Sequence, residues 1–177
     1  MRDILKLTLE LTLISAISAG LLAFVSSRTQ AARERAAEAK RLDAAQNVLH
    51  LEADETFRFD EDRGVFVAEK GGRATKFAVE GESEHGYGGP VRVIVAADAE
   101  GRVIDFAVIQ SSETPGLGSK IAGENFASGI RGKPISADWR VRQDGGDVDA
   151  VTSATISSRA ACEAIARATS LLSPLAK

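Results

Sequence analysis

The stretch VRVIVAADAEGRVIDFAVI, residues 91–109, carries the clearest secondary-structure signal in this sequence. Two runs rich in β-branched residues, Val91 to Ala97 and Arg102 to Ile109, flank the tetrapeptide DAEG at residues 98–101. Apolar runs on either side of a short loop that contains Gly are typical of a β-hairpin. The stretch therefore predicts two antiparallel strands, and it is the strongest strand prediction in the chain.

Shorter β-type runs precede this hairpin. They lie around Phe57, from Val65 to Ala68 and from Thr75 to Val79, and turn signals at residues 62–64 and 71–72 separate them. Short runs bounded by turns that contain Gly predict further antiparallel strands.

Downstream of the hairpin, the pattern predicts helices and one more strand. We expect a short helix from Lys120 to Ala127, a strand from Ile135 to Arg142, and a final helix from Ser157 to Leu172. Strands and helices in this order indicate an α+β fold, in which an antiparallel sheet has helices packed on it.

The N-terminal region is apolar and carries no charge between Glu10 and Arg28. A helix over residues 7–27 is long enough to cross a ~30 Å hydrocarbon core, which takes about 20 residues. We expect an anchor over residues 1–28, a membrane-proximal helix over 29–54 that acts as a stalk, and a globular domain over 55–177. A cleaved signal peptide is the alternative, since basic residues precede the apolar run, although no clear A-x-A cleavage site follows it.

Charges next to the span leave its orientation open. More basic residues follow the span than precede it, so the positive-inside rule would put the domain in the cytoplasm. That rule is weakest for long translocated domains, and acidic residues interleave with the basic ones after the span.

Composition excludes several classes of site. The net charge of −3 argues against a nucleic-acid surface, which needs clustered excess Lys and Arg. The single cysteine, Cys162, cannot form an internal disulfide, and no Cys or His pair has metal-ligand spacing. Cys162 lies in a helical apolar pattern and is expected to be buried, while His50 and His85 are expected to be ordinary surface or core residues.

Three Gly-rich or hydroxyl-rich segments remain: HGYGGP at residues 85–90, ETPGLG at 113–118 and DAVTSAT at 149–155. Taken singly, the first two are compatible with ordinary turns and the third with a plain helix cap. The third also allows a phosphate site, because free N–H groups and the positive end of a helix dipole follow it. A Thr hydroxyl at that place could be esterified by a phosphate.

The set GYGGP, ETPGLG and DAVTSAT after one N-terminal span resembles the FMN-binding domain of the G subunit of the Rnf electron-transport complex. It is more distantly similar to the C subunit of the sodium-pumping NADH:quinone oxidoreductase. In that family the last Thr of a [S/T]-G-A-T-type motif carries FMN in phosphoester linkage, attached by a dedicated flavin transferase. The resemblance implies that Thr155 is this residue here.

The resemblance also implies which other residues surround the cofactor. The residues expected to line the flavin are Glu113, Thr114, Gly116, Leu117 and Gly118, and those expected beside its phosphate are Thr152, Ser153 and Ala154. Ser153 stands where the family usually has Gly. Tyr87 and Lys120 are further candidates for contact with FMN.

The function implied is that of an electron-transfer subunit with no catalytic residue of its own. In the complex, electrons would pass between ferredoxin and NAD with translocation of Na⁺ or H⁺. The flavin domain would then face the extracytoplasmic (periplasmic) side of the inner membrane, with the other members of the complex as partners. The alternatives are a subunit of another respiratory flavoprotein complex, a stand-alone anchored flavoprotein, and an anchored adaptor whose Gly-rich loops are merely turns.

Overall fold

A computed structural model describes residues 2–113, 116 and 118–175 of the chain. It consists of two compact units, Met1–Lys40 and Arg41–Lys177. Helix α1 (Arg2–Leu49) is continuous, so its last turns belong to the second unit.

The part of α1 in the first unit has an apolar surface. Its large apolar side chains between Ile4 and Val25 are each at least 55% exposed. Among the described residues, α1 is the one helix that is both long and apolar enough to cross a membrane. An exposed apolar surface is what a lipid-facing helix requires, because hydrocarbon accepts leucine and isoleucine side chains without burial in protein.

The second unit is built on a five-stranded antiparallel sheet in the order β1-β2-β3-β4-β5. The strands are β1 (Thr56–Asp60), β2 (Val65–Lys70), β3 (Arg73–Ser83), β4 (Val91–Asp98) and β5 (Val103–Ser111). The predicted hairpin is confirmed as β4 and β5, with Val91 opposite Ser111 and Ala97 opposite Val103. In its loop Gly101 has φ 76°, and Asp98 Oδ1 accepts a hydrogen bond from the Arg102 N–H at 2.7 Å.

Both faces of the sheet are buried, which explains why β4 is apolar at nearly every position. Val91, Val93 and Val95 point into one core cluster, while Ile94 and Ala96 point into another on the opposite face. Successive side chains of a strand alternate between faces, so a strand covered on both sides needs apolar residues throughout.

Helix α3 (Thr155–Leu172) covers the first face with small side chains. Ala160, Ala161, Ala164 and Ala168 are fully buried. The helix approaches β3 so closely that a Cβ added at Gly81 would lie 2.0 Å from the Ala164 carbonyl oxygen. The final helix is thus confirmed, beginning two residues before the predicted Ser157.

The last turns of α1 cover the second face. Ala45, Val48 and Leu49 are buried there against the sheet, and the Arg41 guanidinium lies 4.6 Å from the ring centre of Phe59 and pairs with Glu80. Residues 41–49 of the expected stalk therefore belong to the second unit, and the buried side chains among them are part of its core.

Two predictions between the hairpin and α3 need correction. The helix expected from Lys120 to Ala127 is interrupted at Gly123, and forms a 3₁₀ turn (Gly118–Ala122) followed by the short helix α2 (Glu124–Ser128). The strand expected from Ile135 to Arg142 is wrong, since those residues contain only an isolated bridge from Val141 to Val148 and the start of a 3₁₀ turn (Arg142–Asp144).

The wrong strand prediction has a simple physical cause. Trp139 and Val141 are buried in the core and Ile135 packs against it, although the backbone is irregular. The Trp139 Nε1–H donates to the Ile135 carbonyl at 3.1 Å, a contact within the segment itself. The apolar residues that this irregular loop buries have a spacing in the sequence that resembles that of a strand.

Candidate cofactor site

The first turn of α3 lies at the end of the segment DAVTSAT. Ala154 precedes the turn, and no side chain caps it among the described residues. The first N–H groups of a helix have no intrahelical acceptor, so those of Thr155, Ile156 and Ser157 are available to a ligand. Since the helix dipole also makes this end positive, the turn is suited to an anion such as phosphate.

The loop before this turn is held by Ser158. The Ser158 Oγ accepts a hydrogen bond from the Val151 N–H and donates one to the Ala154 carbonyl, each at 2.9 Å. Within the loop Ser153 has φ 65°, in the left-handed region that favours glycine. The residue that departs from the family pattern therefore lies where the backbone adopts a conformation natural to Gly.

Glu113 connects three segments that are distant in sequence. It follows β5 and is only 8% exposed. Its Oε1 accepts a hydrogen bond from the Tyr87 N–H at 2.8 Å, and its Oε2 accepts one from the Ser157 Oγ–H at 2.6 Å. The HGYGGP loop, the exit of β5 and the first turn of α3 therefore meet at one carboxylate.

Two glycines allow this convergence. A Cβ added at Gly118 would lie 2.5 Å from Glu113 Oε2 and 2.8 Å from Ser157 Oγ. A Cβ at Gly86 would lie 2.6 Å from Glu113 Oε1 and 2.2 Å from the Gly89 carbonyl oxygen. Neither position accepts a larger residue without displacement, so these glycines are required by close approach.

A cavity of about 630 Å³ opens where these segments meet. The residues that line it are Tyr87, Glu113, Gly118, Ser153, Ala154, Thr155, Ile156 and Ser157. Cofactor sites have volumes of roughly 300–1,000 Å³ and combine apolar walls with a few polar groups. Tyr87 and Ile156, which are 71% and 49% exposed, offer apolar walls. The N-terminal end of α3 and the Thr155 hydroxyl offer a position for a phosphate. The residues present fit FMN.

Most of the residues expected at the site line this cavity. They are Tyr87, Glu113, Gly118, Ser153, Ala154 and Thr155. Thr152 and Lys120 line a separate cavity of about 420 Å³, together with Asn125, Phe126 and residues 149–151. Gly116 is exposed and its N–H donates to Ser119 Oγ at 2.9 Å, while Thr114 and Leu117 lie outside the described residues.

Ile156 and Ser157 were missed as cavity residues. Both follow Thr155 in the first turn of α3, and because the helix was expected to begin at Ser157, the turn was placed too late. A helix beginning at Thr155 would have put the N–H groups of both residues beside the phosphate position.

A second polar contact holds the HGYGGP loop to the body of α3. His85 Nδ1 lies 2.7 Å from Glu163 Oε2, and the Ser83 Oγ–H donates to the same oxygen at 2.7 Å. Hydrogen bonds from His85 and then Ser83 hold the pKa of Glu163 below its usual range. Glu163 thus fixes the start of a loop whose middle is held by Glu113.

The remaining expectations concern cysteine and histidine. Cys162 is 2% exposed, and burial raises the pKa of its thiol to about 12, which confirms a packing residue and not a reactive one. His50 Nε2 lies 3.1 Å from Asp105 Oδ2. No group of three or more His, Cys, Asp or Glu side chains that could hold a metal ion occurs in the described part of the chain.

Comparison with known proteins shows which family this domain resembles. Residues 86–170 match the family model of the FMN-binding domain. The chain is 37% identical to the G subunit of the ion-translocating oxidoreductase complex of Cereibacter sphaeroides, over 92% of its own length and 81% of that protein. It is 38% identical to the G subunit of the same complex from Vibrio parahaemolyticus, over 57% of its own length and about half, 51%, of that protein.

The fold is similar to that of a solved relative. The C subunit of the Na⁺-translocating NADH-quinone reductase from Parabacteroides distasonis superposes with a TM-score of 0.51 and 25% identity, over 62% of this chain and 60% of that one. The apolar N-terminal helix, the antiparallel sheet and the packed helices are the α+β architecture expected of an FMN-binding domain. The chain therefore belongs to the family of G subunits of ion-translocating oxidoreductase complexes of the Rnf type, which are electron-transport flavoproteins.

Proposed function

We propose that this protein carries FMN in phosphoester linkage to Thr155 and relays electrons within a membrane-bound Rnf-type complex. The observation that carries the proposal is the place of Thr155: it is half-buried in the cavity wall and begins the uncapped first turn of α3. A hydroxyl and the N–H groups of an uncapped helix end are therefore parts of the same cavity wall.

The chemistry of attachment suits this position. The ester joins Thr155 Oγ1 to the phosphorus of FMN, so the modified residue carries the mass of FMN less one water. The resulting phosphodiester keeps one negative charge, which the N–H groups and dipole of α3 stabilise. Because the cofactor cannot then dissociate, attachment would keep a flavin on a domain that lies outside the cytoplasm.

The protein contributes position and environment. FMN supplies the electron-carrying chemistry when bound, as in other flavoproteins. Tyr87 and Ile156 would cover the apolar ring, and Glu113 and Gly118 would shape the inner end of the cavity. The same proposal includes two further sets of residues. Thr114, Gly116 and Leu117 would line the flavin, and Thr152 and Lys120 would lie beside it.

The wider function follows the names of the relatives. We propose that residues 1–28 anchor the chain in the inner membrane, that the following part of α1 up to Lys40 is the membrane-proximal segment, and that the second unit, Arg41–Lys177, holds the flavin on the periplasmic side. The complex would transfer electrons between ferredoxin and NAD and couple this to transport of Na⁺ or H⁺. Its other subunits would be the electron donor and acceptor, and a flavin transferase would load the cofactor.

Mass spectrometry of the protein from its native membranes tests the attachment. After denaturation, the tryptic peptide over residues 143–159 should carry FMN less one water, and fragmentation should place it on Thr155 among the neighbouring hydroxyls. Thr155→Val should lose the flavin and remain folded, whereas Thr56→Val, the same change at an exposed position of β1, should keep it.

An unmodified peptide from cells that contain the transferase would reject the covalent flavoprotein. The result would favour the anchored adaptor, in which the Gly-rich loops are turns. Co-purification separates the remaining alternatives: a flavin-bearing chain that purifies with multi-span subunits is part of a complex, and one that purifies alone is a stand-alone flavoprotein.

A further inference from the structure

The carboxylate of Glu113 has one donor on each oxygen, and the two donors come from different segments. The Tyr87 N–H binds Oε1 at 2.8 Å and the Ser157 Oγ–H binds Oε2 at 2.6 Å. Glu113 and Ser157 are 8% and 3% exposed, so solvent has little access to replace either bond. A buried carboxylate that loses a donor is strongly disfavoured.

We propose that Ser157 is a positioning residue of the cofactor pocket, which acts through Glu113 to hold the Tyr87 loop beside the first turn of α3. The proposal rests on the proposed function, because the geometry that it maintains is that of the flavin cavity. It adds a role for a residue two positions after the attachment site.

The close packing around the carboxylate supports a role in orientation. Gly118 and Gly86 contact its two oxygens so closely that an added Cβ would lie 2.5 and 2.6 Å away. The carboxylate is therefore confined on both sides and has one orientation in which both oxygens are satisfied. Removal of the Ser157 hydroxyl leaves Oε2 without a donor among the described residues and allows the carboxylate to turn away from Tyr87.

The effect should be local, because the loop has a second attachment. His85 and Ser83 bind Glu163, two turns further along α3, and neither bond involves Ser157. The buried face of α3 packs on the sheet through alanines, Ile165 and Leu172 and does not depend on the Glu113 contact. Loss of the Ser157 hydroxyl should therefore release the part of the loop near Tyr87 without unfolding the domain.

Tyr87 is the single tyrosine of the chain, which provides a specific probe. With ¹⁵N-tyrosine, the full-length protein in detergent micelles gives one labelled amide, that of Tyr87. Its hydrogen exchange is measured in the flavin-free Thr155→Val background, so the result does not depend on the cofactor. Ser157→Ala should reduce protection of this amide roughly ten-fold, in line with a weakened bond to a charged group.

Two controls distinguish positioning from general destabilisation. Ser170→Ala makes the same change at an exposed position of α3 and should leave Tyr87 protection unchanged. Glu113→Gln keeps an acceptor for Tyr87 and can donate to Ser157 Oγ, so it should retain most of the protection that Glu113→Ala loses. Once Glu113 is Ala, adding Ser157→Ala should have no further effect on the amide.

Three results would overturn the proposal. The first is unchanged Tyr87 protection in Ser157→Ala. The second is a parallel loss of global stability that accounts for the faster exchange. The third is an equal effect of Ser157→Ala with and without Glu113, which would show that the hydroxyl does not act through the carboxylate.

The second test measures the rate of flavin attachment in chains that keep Thr155. Ser157→Ala should slow flavin attachment by roughly ten-fold or more, because a displaced Tyr87 loop no longer holds the cofactor in the position needed for reaction with the Thr155 hydroxyl. Loading at the unaltered rate would overturn the role in the cofactor pocket. A chain with native Thr155 and Ser157 that carries no flavin would instead refute the proposed function, and the amide result would still stand.

Discussion

The two faces of the sheet are covered by helices of different character. On one face, α3 packs through alanines together with Ile165 and Leu172, and it begins at a cavity with a buried carboxylate and a left-handed Ser153. On the other face, the end of α1 packs Leu49 and Val48 against Phe66 and other apolar side chains. Buried polar groups and positive φ cost stability, whereas apolar burial supplies it. Both faces therefore stabilise the domain through apolar burial, and the α3 face also accommodates the candidate cofactor cavity.

Removing the end of α1 should have the largest effect. A soluble fragment that begins at Arg41 should fold, while one that begins at Glu55 loses Ala45, Val48 and Leu49 and uncovers the second face. Burial of each large apolar side chain contributes about 1.5–3 kcal/mol, and a whole domain is stable by only ~5–15 kcal/mol. Urea unfolding followed by fluorescence of Trp139, the single tryptophan, measures the difference. Equal midpoints for the two fragments would show that the α1 end is dispensable.

A single truncation on the same face should have a smaller effect. Leu49 is fully buried, so Leu49→Ala should reduce the free energy of unfolding by about 2–5 kcal/mol. Leu42→Ala is the matched control, because Leu42 is 37% exposed on the same helix and should cost less than about 1 kcal/mol. In both variants, the folded protein should carry as much flavin as the native chain. A loss of flavin in folded Leu49→Ala would contradict the expectation that the α1 face does not contribute to flavin attachment.

The acid sensitivity of the α1 face provides a third test. Burial tends to raise the pKa of Glu55, but hydrogen bonds from the Glu52 N–H, Lys76 and Thr75 outweigh it and lower the pKa from 4.5 to about 2. A lowered pKa contributes stability that is present above about pH 4.5 and is lost as the pH falls towards 2. Glu55→Gln should therefore cost about 2–3 kcal/mol at neutral pH and little near pH 2.

The control for this pH series is Glu61→Gln, which changes an exposed glutamate in the turn between β1 and β2. Its unfolding free energy should follow that of the native chain at every pH. If the cost of Glu55→Gln were the same at pH 7 and near pH 2, the ionised Glu55 would not be the source of the stability.

The smallest effect should be a gain of stability on the α3 face. Ser153→Gly removes the cost of a left-handed L-residue, about 1–2 kcal/mol, and adds part of the entropy cost of glycine. We expect a net stabilisation of about 0.5–1 kcal/mol with flavin loading unchanged. Ser170→Gly, in the last turn of α3 where the backbone is helical, should instead destabilise the domain by up to about the same amount. A loss of stability in Ser153→Gly would show that the serine side chain compensates for its backbone conformation.

Sequence patterns predicted the local elements well and the loop contacts poorly. The hairpin and α3 follow from turn chemistry and periodicity within a few residues, and both are confirmed. The prediction of a strand over residues 135–142 was wrong because Trp139 and Val141 are buried although their backbone is irregular. Periodicity detects burial, and burial alone does not distinguish a strand from a packed loop.

The sequence by itself determined the apolar span, the order of strands and helices, and the three segments that form the site. Each depends on interactions between residues close in the chain, or on motifs that can be recognised in the sequence. Only the tertiary structure decided that the end of α1 belongs to the core and that Glu113 joins Tyr87 to Ser157. Those contacts link residues 26 and 44 positions apart, and their partners are selected by how the sheet and helices pack, which no local pattern encodes.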